Sequence, residues 1–119
     1  MLIKKIVCEV DAANAEAFSK AQSQWRALSY VDGFVKQAGS WRKIADRLFT
    51  AEIISVWENR AAYDHFMENE HDSIYEENEQ KAVILSIDVT LYEEDEPFIH
   101  DLLHNPDIRY EPDWTVQKA

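Results

Sequence analysis

Leu48-Phe49-Thr50-Ala51-Glu52-Ile53-Ile54-Ser55-Val56-Trp57 is the most strand-like run in the chain. It is rich in β-branched and aromatic residues and contains neither Gly nor Pro. Side chains on a strand alternate between its two faces. Phe49, Ala51, Ile53 and Trp57 therefore point one way, and Leu48, Ile54 and Val56 the other. Apolar residues on both sides predict that both faces are buried.

Working upstream, Phe34 to Arg42 reads as a second strand, loosened by Gly39 and joined to the first run by a polar loop, Lys43 to Arg47. Asp32-Gly33 stops a helix whose apolar stripe is Phe18, Ala21, Trp25 and Leu28. Asp11 is a natural N-cap for that helix, and Leu2 to Val10 reads as the opening strand. Downstream, Asn59 caps a second helix, on which Tyr63, Phe66, Met67, Glu70, His71 and Ile74 share one face. After a charged break, Glu76 to Lys81, the stretch Val83 to Tyr92 alternates, with Val83, Leu85, Ile87, Val89 and Leu91 on one side. The order strand, helix, strand, strand, helix, strand is the split βαβ of the ferredoxin-like α+β fold. Its two helices cover one face of an antiparallel sheet. A second copy of the chain would cover the other, which predicts a homodimer paired through its sheets as a dimeric α+β barrel.

Residues 1–92 form that domain, and residues 93–119 are a C-terminal extension. The extension starts with an acidic run, Glu93 to Glu96, and Pro97 can open a short helix reaching about His104. It also carries Phe98, Ile99, Leu102, Leu103, Tyr110 and Trp114. Such large apolar side chains are costly to leave in water, so the extension is predicted to pack on the domain or on the partner subunit.

Composition limits the function classes. The chain has 119 residues, of which 46% are hydrophobic, and a formal net charge of -11. The charge is uneven, because residues 61–119 carry sixteen acidic side chains against three basic ones. Nucleic-acid surfaces need clustered Lys and Arg, so neither nucleic acid nor an anionic membrane is expected as a partner. No stretch approaches the ~20 apolar residues that span a bilayer. The lone Cys8 excludes an internal disulfide and fits a reducing compartment, so a cytoplasmic location is expected.

Met1-Leu2-Ile3-Lys4, Gln24-Trp25, Asp32-Gly33-Phe34, Gly39-Ser40-Trp41, Trp57-Glu58-Asn59, Ala62-Tyr63, Phe66-Met67 and His71-Asp72 occur in an order that resembles the YdbC-like family of small bacterial proteins. The resemblance covers about residues 1–92. It implies a branch of the dimeric α+β barrel superfamily, with its antibiotic-biosynthesis-type monooxygenases, haem-degrading monooxygenases and stress-response barrels. Chemistry varies within that group, from cofactor-free oxygenases to proteins without a known reaction. Haem-degrading members are implied to use an Asn, a Trp and a His. The matching positions here look like Val7, Phe66 and about Glu76, so haem chemistry through that triad is not expected.

His71 is the first candidate for chemistry, because its helical stripe turns it toward the sheet and an imidazole can serve as a general base. The plainer account is a partly buried His held by a neighbour. Trp25, Trp41 and Trp57 are candidate walls for a flat aromatic molecule, although Trp equally fills helix–sheet cores. Tyr63 could donate to an oxyanion. Asn59 and Asp72 stand near these aromatics, with Asn59 first of all a helix cap. Asp72 adjoins His71, but neighbours on a helix point about 100° apart. His100 and His104 have metal-helix spacing but lack a third ligand, and Gly33 and Gly39 make no phosphate loop, so neither a metal nor a cofactor is expected. Two function classes stay open. One is a cofactor-independent, monooxygenase-like enzyme acting on a small aromatic molecule, with His71 as base. The other is a non-catalytic, small-molecule-binding or stress-associated dimer, or a purely structural one.

Overall fold

A computed structural model describes residues 1–69, 71, 80–95, 99 and 111–118. The expectations for Glu70, Asp72, Ile74, Glu76, His100, His104, Phe98, Leu102, Leu103 and Tyr110 lie outside the described residues. Strand β1 (Leu2–Asp11) leads to helix α1 (Ala15–Gln22), strands β2 (Phe34–Ala45) and β3 (Leu48–Trp57), helix α2 (Arg60–Asn69), strand β4 (Ser86–Glu93) and a short strand β5 (Val116–Gln117). The strands form one antiparallel sheet in the order β4-β1-β3-β2-β5. Its first four strands give the ferredoxin-like α+β arrangement expected of the sequence. Among the described residues no helix is long and apolar enough to cross a membrane.

Local chemistry accounts for most of these boundaries. The Asp11 side chain accepts a hydrogen bond from the Ala13 amide at 2.8 Å and starts the first helical turn. Asn59 does the same for α2, accepting from the Ala62 amide at 2.9 Å. Gly33 adopts a φ of 82°, and a Cβ there would run into Ala62, so only Gly suits this turn.

Three expectations about the elements need correction. Strand β2 runs on to Ala45, so only Asp46 and Arg47 turn where the sequence suggests a loop over Lys43 to Arg47. The first helix is not continuous. After Gln22 the chain tightens into a 3₁₀ stretch, Ser23–Tyr30, with Trp25 off helical geometry. The hydroxyls of Ser23 and Ser29 donate to the Lys20 and Arg26 carbonyls there, in competition with regular helix bonds. Phe18, Ala21, Trp25 and Leu28 are nonetheless all buried. The last strand, for its part, begins at Ser86 instead of Val83, because Gln80–Val83 forms a 3₁₀ turn. Leu85 lies outside the strand and is 61% exposed.

The sheet has two buried layers. On the helix side, Leu2, Trp25, Leu28, Phe34, Trp57, Tyr63 and Phe66 pack together. A neighbouring cluster joins Cys8, Val10, Phe18, Ala51, Ile53 and Trp114. On the opposite side, Ile3, Ala38, Ile54 and Val56 pack under Ile99. The chain therefore covers part of its second face with its own residue, whereas the sequence pattern had been read as leaving that cover to a second copy. The remainder of this face is more polar, with Lys5 paired to Glu52 at 3.3 Å.

Candidate functional site

The alternation of β1 turns Leu2, Lys4, Ile6, Cys8 and Val10 toward the helices. Register then fixes their neighbours. Lys4 stands opposite Ser55 on β3, and Ser55 stands opposite Gln37 on β2. Three polar side chains thus form one row across the sheet. They are exposed by only 7, 4 and 5% in the order Lys4, Ser55, Gln37.

Above this row lies a cavity of about 300 Å³. Trp25 and Leu28 wall it on one side, and Tyr63, Phe66, Met67 and His71 of the α2 region on another. Trp57 rises from the sheet between them, its ring 5.6 Å from Tyr63 and 5.1 Å from Phe66. His71 is half-buried, with its ring 5.5 Å from Trp25 and 5.9 Å from Phe66. Ile87 and Val89 of β4 line the cavity's largely apolar open side.

Burial governs the electrostatics. The Lys4 ammonium sits 3.6 Å from the Met67 sulfur and 5.0 Å above the Tyr63 ring. Loss of hydration lowers its pKa from 10.5 to about 8. Burial pushes the Cys8 thiol up to about 11, which makes it a poor nucleophile at neutral pH. Burial also raises the Tyr63 phenol, with Arg60 opposing and Asp64 adding to the effect, so it stays a hydroxyl donor. The Ser55 hydroxyl accepts from the Trp57 indole at 3.2 Å, leaving its own proton to donate elsewhere. Gln37 Nε2 is fully buried and has no hydrogen-bond partner among the described residues. Among those residues no carboxylate lines the cavity.

Of the candidates read from sequence, His71, Tyr63, Trp25 and Trp57 line this one cavity. Trp41 does not. Its ring packs in a separate aromatic cluster, 5.4 Å from Phe18, 5.9 Å from Phe49 and 5.0 Å from Trp114. Asn59 is likewise absent from the lining and is occupied as the cap of α2. Asp72 lies outside the described residues.

A family model described as a domain of unknown function (DUF4937) matches residues 2–92. The chain belongs to that family. It is 82% identical over all 119 residues to the uncharacterized protein YdbC of Bacillus subtilis (strain 168), and the alignment covers the whole of both chains. Among solved structures, a putative antibiotic biosynthesis monooxygenase from Bacillus cereus matches with a TM-score of 0.61 and 13% identity, covering 80% of this chain and 91% of its own. SnoaB, a cofactor-independent oxygenase from Streptomyces nogalater, matches with a TM-score of 0.59 and 10% identity, covering 80% and 94%. At such identities the likeness is one of fold.

The family match takes in every described cavity residue but stops short of Trp114. Sequence reasoning missed the polar row. The signal that could have found Lys4 is its place among the inward positions Leu2, Ile6, Cys8 and Val10. Gln37 and Ser55 join it only through strand register, which one sequence does not display.

Proposed function

We propose that the cavity is the reaction chamber of a cofactor-independent, monooxygenase-like enzyme acting on a small, flat, largely apolar aromatic molecule. The observation that carries this reading is the 300 Å³ space between sheet and helices, with aromatic walls and His71 at its edge. Such a volume takes a two- or three-ring molecule. Trp25, Trp57 and Phe66 supply faces for stacking. His71 removes a proton from a phenol or an activated carbon, and the Tyr63 hydroxyl donates to the oxygen on which negative charge develops. The functional unit in this reading is a homodimer.

The test is oxygen uptake across a panel of polycyclic phenols, followed by His71→Ala on whichever compound turns over. Turnover is expected to fall by roughly 10²–10⁴-fold with an unchanged melting temperature. Unchanged turnover would remove His71 from the chemistry. Tight binding without any oxygen uptake would favour the non-catalytic, small-molecule-binding dimer.

A further inference from the structure

We propose that the row Lys4–Ser55–Gln37 is an anion-recognising subsite, and that the cavity's ligand is a planar aromatic molecule carrying an ionised enol or phenol oxygen plus a second oxygen acceptor. The inference rests on the cavity being the working site and names the class of molecule it takes.

Three observations converge. The row offers three donors: an ammonium, a hydroxyl that accepts from Trp57 and keeps a proton to give, and an amide nitrogen without a partner among the described residues. All three residues are at least nine-tenths buried. A buried donor left unsatisfied is costly, and a buried ammonium without a counter-charge more so. The chain as a whole has a net charge of -11, yet the described lining contains no carboxylate. An acidic protein that sets a cation and no described carboxylate against this apolar chamber is built to admit an anion there.

Spacing narrows the class. Adjacent strands lie about 4.8 Å apart, so Lys4 and Gln37 are two strand widths apart with Ser55 between them. The backbones that carry the two ends of the row thus stand about 10 Å apart, a span suited to more than one oxygen. Two oxygens on opposite sides of a fused ring system can serve both ends, with the ionised one at Lys4 and a carbonyl toward Ser55 and Gln37. The ring faces then meet Trp25, Trp57 and Phe66.

Calorimetric titration of the full chain at neutral pH with two probes tests this. One is 2-hydroxy-1,4-naphthoquinone, an acidic enol, and the other its methyl ether, the same shape without the acidic proton. The parent protein is expected to bind the enol at least tenfold more tightly than the ether. Lys4→Met should abolish that preference by weakening the enol far more than the ether, and Lys4→Gln should do the same. Gln37→Leu should weaken both probes alike. Equal binding of the two probes by the parent, or a preference that survives both Lys4 substitutions, overturns the subsite but leaves the chamber standing. Failure of both probes to bind overturns the subsite and the chamber together.

Discussion

Lys4 is where a single side chain does most to set the behaviour of the site. Its ammonium titrates at about 8 in the fold against 10.5 ordinarily. Between those values the unfolded chain holds a proton that the folded chain has released, so raising the pH favours folding. Below about 8 the penalty of burying the charge is present in full. Cys8 works in the opposite sense, because its thiol is raised from 9.0 to about 11, and the stability it contributes is lost as pH rises from 9. The Lys4 effect is therefore cleanest between pH 8 and 9. Urea midpoints should rise there by the equivalent of about 1 kcal/mol per pH unit. Lys4→Met should be more stable than the parent at pH 7 and should lose that slope; equal slopes would show that Lys4 is solvated in the fold. The sequence hid this residue because Lys is ordinarily a surface residue, and only its position between Leu2 and Ile6 argued otherwise. His71, Tyr63 and Trp57 were legible because helical and strand periodicity aim them at one layer. Trp41 was misplaced because its decisive neighbour, Trp114, lies far along the chain, where periodicity carries no information.

At the level of elements, the C-terminal segment completes the sheet. Val116 and Gln117 pair with Gln37 and Lys36 at the β2 edge. Just before them, Trp114 is wholly buried and its indole donates to the Ser19 hydroxyl at 3.0 Å. It lies on Gly39, where a Cβ would meet the indole ring, and the Glu111 amide donates to the Gly39 carbonyl at 2.6 Å. The apolar content of the segment was visible in the sequence, but the docking place was not, since it depends on a glycine that opens room on β2. Trp114→Ala should cost about 3–5 kcal/mol in denaturant unfolding. Gly39→Ala should cost about 1–3 kcal/mol alone, by overpacking, yet much less in the Trp114→Ala background. Additive effects would mean that the ring does not rest on Gly39. The breaking of the first helix was equally hard to read. The apolar stripe was correct, but Ser23 and Ser29 alter its pitch without altering which residues are buried.

For the whole molecule, the two sheet edges differ. β5 closes one, whereas β4 stands at the other with no strand beyond it among the described residues. Leu85, Ile87 and Val89 there are 61, 52 and 46% exposed, and an open edge with apolar side chains invites pairing. Ile54 and Val56, the positions that strand alternation offered as an interface, already pack under Ile99 within one chain, so charges there would unfold the monomer instead of parting a dimer. The proposed homodimer is therefore better sought at β4, and a second copy with the same exposed strand is the simplest closed partner. Sedimentation at micromolar concentration should show a dimer for the parent. Ile87→Lys and Val89→Lys should shift it to monomer with unchanged circular dichroism. A parent that sediments as a folded monomer would defeat the proposal. Because Ile87 and Val89 also line the cavity, assembly and ligand binding are expected to be linked. A ligand that fills the chamber should tighten the parent dimer, and the β4 variants should bind that ligand more weakly even though Lys4, Gln37 and His71 are intact.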